Sequence, residues 1–183
     1  MPLSVAIIGA GPLGRRLAWR AARAGFRVSL EDVLPSNLEH ARESMRRDFS
    51  AERLAGDARG GMRFVSSIED AVREADLAID CVPDELESKL EILWLLDRMS
   101  PPRTVFATPT TNLSIADLGA CTYRADKCIA IAASPADLAN LAAQPAAEIR
   151  LRTATVTASE TIALVEHFWR GLGFSVRIKG AAE

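Results

Sequence analysis

The hexapeptide Gly9-Ala10-Gly11-Pro12-Leu13-Gly14 spaces its glycines as GxGxxG, and Ala18 extends the pattern to GxGxxGxxxA. Each glycine has its own task in phosphate chemistry. Gly9 permits a tight turn, Gly11 lets backbone approach a pyrophosphate, and Gly14 lets helix and strand pack closely. An apolar run, LSVAII (3–8), precedes the loop, and a helical pattern follows it. That context separates a dinucleotide loop from an ordinary glycine-rich turn. Pro12 and Leu13 open the helix, whose free N–H groups and positive dipole end face the phosphates. Asp32 closes the next apolar stretch, FRVSLED (26–32). A carboxylate there accepts from both adenosine ribose hydroxyls and repels a 2′-phosphate, so the pattern favours NAD over NADP. Glu31 is a neighbouring acid that strand alternation turns the other way.

The rest of the chain offers little acid–base chemistry. Its two histidines, His40 and His167, fall in helical patterns away from strand ends, where surface positions are expected. Tyr123-Arg-Ala-Asp-Lys127 matches YxxxK, an acid–base pair of short-chain dehydrogenases, but it bridges a turn into a strand instead of lying on a long helix. Cys121 and Cys128 have no basic partner nearby in sequence, so no thiol nucleophile is indicated. The three cysteines, Cys81 among them, lack CxxC spacing. They fit free thiols of a reducing cytoplasm better than a disulfide or zinc framework, and no metal site is expected.

The elements that must position these residues alternate along the chain. Strands are expected at 3–8, 26–32, 62–67, 76–82, 104–110, 127–133, 147–155 and from Phe174 to Lys179. Between them run helical stretches at 12–25, 36–56, 68–75, 84–99, 114–122, 136–143 and 158–171, with a loop at 56–61. Gly25 and Gly171 mark helix ends, and Ser36 is a plausible N-cap. Strands alternating with helices imply an α/β, Rossmann-type doubly wound and mainly parallel sheet. No linker divides the chain, so residues 1–183 are expected to form a single dinucleotide-binding domain.

A net charge of −2 forces no basic face, which argues against nucleic acid. No stretch approaches the length of a membrane span, and the start has no charged n-region of a signal peptide. A cytoplasmic location is therefore expected.

Beyond its glycine loop, the sequence resembles the NAD-binding domain of the 3-hydroxyacyl-CoA dehydrogenase family nearly end to end. The stretches that carry the likeness are VAIIGAGPLGRRLAWRAARAGFRVSLEDV, EDAVREADLAIDCVPDELESK, ATPTTNLSIADL and TASETIALVEHFWRGLGFSVRI, in family order. The resemblance implies NAD as cofactor and a place in fatty acid metabolism. It also implies that Asp84, just after the fourth strand, lies near the nicotinamide ribose, with Lys89 further along. The same carboxylate would also complement a helix N-terminus.

The sequence departs from the family where the chemistry is done. The family's catalytic histidine falls on Ala132, in AIAASP. Its partner glutamate falls near Ala143, or on Glu148 if an insertion is allowed. In the family's NTSS-like turn, here Pro109-Thr110-Thr111-Asn112, Thr111 takes the place of the substrate-contacting serine and Pro109 replaces an asparagine. Thr111 and Glu148 are the remaining catalytic candidates. The segment between Asp32 and Phe64, where the family contacts CoA, is short, and the sequence stops where the family continues into an all-helical domain.

Three functional readings follow. One is an NAD-binding protein without the family's histidine–glutamate catalysis. The second is an NAD-dependent dehydrogenase of altered substrate, and the third is one half of a split 3-hydroxyacyl-CoA dehydrogenase. The small-molecule substrate is open, and the expected partner is a second copy of the chain or a separate helical-domain polypeptide.

Overall fold

The computed structural model describes residues 2–48, 61–144 and 146–180. One continuous sheet carries eight strands in the order β3-β2-β1-β4-β5-β6-β7-β8. The strands are β1 (Ser4–Ile8), β2 (Arg27–Glu31), β3 (Met62–Val65), β4 (Leu77–Asp80), β5 (Val105–Pro109), β6 (Cys128–Ile131), β7 (Glu148–Arg152) and β8 (Ser175–Lys179). All neighbours pair in parallel except β6 and β7, where Ile131 faces Leu151 in an antiparallel register. The expected doubly wound, mainly parallel α/β architecture is the one found.

The central strands β1, β4, β5 and β6 are buried at every position. Parallel strands covered on both faces read as continuous apolar runs, which is why SVAII and CIAI carry no alternation. One face packs against α1 (Pro12–Arg23), α2 (Pro35–Asp48), α6 (Pro135–Leu141) and α7 (Ser159–Gly171), through Leu17, Leu38, Leu138 and Phe168. The other face packs against α3 (Ile68–Val72), α4 (Leu86–Met99) and α5 (Ile115–Ala120), through Val72, Leu93 and Leu118. A single 3-10 turn, Ala125–Lys127, leads into β6 and has no counterpart in the sequence reading.

One helix boundary differs from expectation. Pro35 takes the first position of α2, so Ser36 lies inside the first turn and is not the N-cap. The turn before it is fixed instead by Asp32, whose Oδ1 accepts from the Leu34 N–H and the Asn37 amide, both at 3.0 Å. At the end of α7 the left-handed position belongs to Gly173, at φ +88°. Gly171 ends α7 as expected and also serves packing, because a Cβ there would press into the Phe26 ring. The latter part of the expected 36–56 helix, and the loop at 56–60, lie outside the described residues.

Candidate functional site

The glycine loop follows β1 at the point where the strand order reverses, between β1 and β4. In such sheets ligands bind in the crevice outside the carboxyl ends of the strands at this switch point. Gly9 adopts φ +102°, and its N–H donates to the Glu31 carbonyl at 2.8 Å, which ties the loop to β2. A Cβ on Gly14 would collide with the Gly9 carbonyl oxygen, so the loop closes against α1 only with glycine there. A Cβ on Gly11 would meet no atom within 4 Å. No neighbour within the protein demands glycine at position 11, and the exposed backbone there is open to approach. The loop therefore fits a pyrophosphate on this structure's own geometry.

Asp32 follows β2 directly. Its Oδ2 accepts from the Ala10 N–H at 3.0 Å, while Oδ1 holds Leu34 and Asn37. The carboxylate thus joins the glycine loop to the β2–α2 turn and stays half-buried at the crevice rim. Glu31 points into the opposite layer, as alternation requires, and is buried. Burial, and then the charge of Asp32, push its carboxyl up to about 7.

Asp84 and Thr111 come together across the crevice. Asp84 Oδ2 accepts the Thr111 N–H at 2.9 Å, which links the β4–α4 turn to the β5–α5 turn. Asp84 Oδ1 is buried without a protein partner, so one lone-pair face of the carboxylate remains for a ligand. The second turn is braced from below, because the Arg152 guanidinium donates to the Thr110 carbonyl at 2.8 Å. Thr111 itself is exposed.

Lys89 sits elsewhere than the resemblance implies. Its side chain is fully buried, and its ammonium donates to Asp80 Oδ1 at 2.5 Å and to the Val82 carbonyl at 3.3 Å. It touches the turn that carries Asp84, not the open crevice, and so acts as a positioning residue. Asp80, the last residue of β4, is its counter-charge and escaped the sequence reading. Burial pushes the Asp80 carboxyl upward, and the adjacent ammonium pulls it back in part.

Ala132 follows β6 immediately, and its N–H donates to the Arg150 carbonyl at 2.8 Å. Its methyl group has neither an exchangeable proton nor a lone pair to accept one. Glu148 starts β7, but its carboxylate is taken by two arginines, Arg150 Nε at 3.0 Å and Arg177 Nε at 3.1 Å. The hydrogen bond from Arg150, and then that from Arg177, hold it below the ordinary carboxylate range. A carboxylate so held is a poor proton acceptor. The sequence does contain both arginines, but only the parallel pairing of Arg150 with Arg177 shows that they converge.

Of the remaining candidates, Cys81 follows β4 and packs beside Gly9, and the others lie away from the crevice. His40 and His167 are exposed on α2 and α7. Tyr123 is fully exposed before β6, toward the amino end of that strand, and the Lys127 ammonium donates to the Pro102 carbonyl. Burial pushes the thiols of Cys81 and Cys128 upward, the latter to about 11. Among the described residues no cluster of histidine, cysteine or acid could hold a metal ion, and no helix is long and apolar enough to cross a membrane.

A glycine loop at the switch point, with an acid at the end of β2 that fastens to it, defines a Rossmann-type dinucleotide-binding domain. Known proteins sharpen that class. The profile of the family described as 3-hydroxyacyl-CoA dehydrogenase, NAD binding domain, matches residues 4–174. A probable 3-hydroxybutyryl-CoA dehydrogenase of Bacillus subtilis is 29% identical over 68% of the chain and 46% of its own length. The 5-formyl-3-hydroxy-2-methylpyridine 4-carboxylate 5-dehydrogenase of Mesorhizobium japonicum is 34% identical over 64% of the chain and 40% of its own length. A diketoreductase structure superposes with a TM-score of 0.81 at 27% identity, covering 97% of this chain and 64% of that one. This chain belongs to the 3-hydroxyacyl-CoA dehydrogenase family as its NAD-binding domain, and its cofactor is NAD. It spans under half the length of the two curated relatives just named.

Proposed function

We propose that this chain is an NAD-binding protein in which the family's acid–base catalysis is absent. The reading rests on one observation above others. Ala132 stands at the family's histidine, and the nearest glutamate, Glu148, is bound to Arg150 and Arg177. Gly9, Gly11 and Gly14, with the first turn of α1 at Pro12 and Leu13, would hold the pyrophosphate. Asp32 would accept from the adenosine ribose, and Asp84 would use its free Oδ1 toward the nicotinamide ribose. NAD, when bound, supplies a hydride acceptor. The protein's own residues supply binding and orientation, and none of the candidate groups among the described residues is set to take the substrate's hydroxyl proton. We place the protein in the cytoplasm, where its three thiols stay reduced, with fatty acid metabolism as its setting by family.

Calorimetric titration with NADH and NADPH tests the binding. NADH should bind more tightly, and Asp32→Ala should weaken NADH about tenfold and narrow the preference, as expected for losing a charge-assisted hydrogen bond of about 1.5–3 kcal/mol in part. Equal affinity for both cofactors, or tighter NADPH, overturns the assignment of Asp32.

A second reading, a dehydrogenase of altered substrate, has one observation in its favour. The Thr111 hydroxyl is exposed beside Asp84, where a small substrate would lie. Turnover on a panel of small hydroxy acids, lost in Thr111→Val, would establish it.

A further inference from the structure

Strand β7 buries Ile149 and Leu151 on the α7 side of the sheet and turns its other row of side chains to the opposite face. With β8, that row carries Arg150, Arg152, Arg177 and Lys179, four bases in a chain whose net charge is −2. The parallel register sets them in two opposed pairs, Arg150 against Arg177 and Arg152 against Lys179. Neighbouring strands lie about 4.8 Å apart, so each pair starts two like charges side by side.

The protein answers the first pair itself. Glu148 accepts from Arg150 Nε at 3.0 Å and from Arg177 Nε at 3.1 Å. The second pair has no such acid among the described residues. Arg152 uses one nitrogen, Nη2, for the Thr110 carbonyl at 2.8 Å and the Leu113 carbonyl at 3.3 Å. Its Nε is buried without a protein partner. A donor shut away from protein acceptors is costly unless a ligand or ordered solvent meets it.

Arg152 and Lys179 line one cavity of about 430 Å³, together with Ser114, Thr153 and Thr155. The Ser114 Oγ accepts the Asp117 N–H, which leaves its own hydroxyl hydrogen to donate. Among the described residues no carboxylate lines the cavity. Its wall therefore offers two positive charges and hydroxyl donors, with no negative charge to balance them.

We propose that this cavity binds a small dianion, a dicarboxylate or a phosphate monoester, with Arg152 and Lys179 on its oxygens. Guanidinium and ammonium together neutralise two negative charges, and the guanidinium fork matches the oxygens of either group. The volume lies in the range of small-molecule sites. The cavity is separate from the glycine loop, because β4, β5 and β6 stand between β1 and β7. Arg152 also holds the Thr110 and Leu113 carbonyls, so an anion drawn to it rests against the turn that carries Thr111.

Calorimetric titration of the full chain with malonate, glycerol phosphate and acetate tests this, with and without saturating NADH. Working in about 0.15 M salt screens exposed charges more than about 8 Å apart and so suppresses diffuse attraction. At least one of the two dianions should bind with a dissociation constant of about 1 mM or better, and the tighter one names the chemistry. Acetate can meet only one of the two cations and should bind at least about tenfold more weakly. NADH should leave the dianion's affinity unchanged, and the titrations without NADH stand whether or not the cofactor binds. Lys179→Ala should weaken the dianion about tenfold. Lys179→Glu should abolish its binding, because the new carboxylate pairs with Arg152 as Glu148 pairs with Arg177. Both variants should melt where the wild type does, since Lys179 is exposed. No binding of either dianion, a dianion that NADH displaces, acetate as tight as the dianions, or undiminished affinity in Lys179→Glu would each overturn the proposal.

Discussion

The Lys89 ammonium rests 2.5 Å from Asp80 Oδ1, and both side chains are wholly shielded from water. A lone buried charge is costly, whereas a paired one is tolerated. The pair spans from the end of β4 to the second turn of α4. With the bond from Lys89 to the Val82 carbonyl, it fixes the turn that presents Asp84.

Removing one member should therefore do more harm than removing both. Lys89→Met strands the Asp80 carboxyl and is expected to cost about 3–5 kcal/mol of stability in urea unfolding. It should also weaken NADH binding, because Asp84 loses its support. The double variant Asp80→Leu/Lys89→Met, apolar at both places, should recover most of the stability. Equal losses in the single and double variants would show that packing, not charge pairing, is what Lys89 provides.

The glycine loop separates folding from binding. Gly14→Ala forces a Cβ into the Gly9 carbonyl, so the loop must distort, and both stability and NADH affinity should fall. The expected loss of stability is about 1–3 kcal/mol, typical of overpacking. Gly11→Ala meets no atom within 4 Å and should leave the melting temperature unchanged. Its methyl group occupies the space that the pyrophosphate needs, so affinity should still drop about tenfold or more, a loss of roughly 1.4 kcal/mol. Paired thermal melts and calorimetry on both variants distinguish the two effects. Unchanged affinity in Gly11→Ala would remove the phosphate from this loop.

Much of this arrangement is readable in the sequence, and the exceptions share a cause. Gly9, Gly11, Gly14 and Asp32 are local features, set by a strand, a turn and a helix in succession, and the structure seats them at the switch point. The Asp84–Thr111 bond joins turns that follow different strands, and only the β4–β5 pairing brings them together. Lys89 was legible as a residue of interest but not in its direction, because helix phase decides whether a lysine points out or in. Asp80 becomes visible only with that same helix phase, and the two arginines on Glu148 depend on sheet register, which motif spacing does not carry. Ser36 looked like a cap because the rule that places serine there competes with the rule that places Pro35 at the first helical position.

Glu31 gives the protein a pH signature. Its carboxyl is raised from an ordinary value near 4.5 to about 7, by burial first and by Asp32 second. A group raised on folding contributes stability that is whole below its unfolded value and is lost as pH climbs through its folded value. The wild type should thus lose stability between about 4.5 and about 7 from this residue. The loss should be on the order of 2 kcal/mol, after allowing for residual solvent screening of a carboxyl at the carboxyl end of β2. Glu31→Gln keeps the shape without the ionisation and should flatten that part of the profile. Thermal melts stepped through the window decide it, and parallel profiles for both proteins would mean that Glu31 does not titrate there.

The sharpest expectation concerns the reaction that the proposed function denies this chain. Purified chain mixed with NAD and a 3-hydroxyacyl-CoA should show no NADH absorbance above background. Departure of the hydride leaves a hydroxyl proton that must go to a base within hydrogen-bond reach. Ala132 offers none, and Glu148 is turned to Arg150 and Arg177. Loss of a positioned base alone accounts for roughly 10²–10⁴-fold in rate. Ala132→His should not restore it. The new imidazole would lack an orienting carboxylate, since Glu148 is already engaged, and groups that act as a unit contribute little singly. Adding Arg150→Ala frees one side of Glu148, yet Arg177 still holds the other, so the double variant should gain little over Ala132→His. Ordinary turnover by the unmodified chain would mean that a base other than one at position 132 serves the crevice, and Thr111 beside Asp84 would then be the first position to substitute.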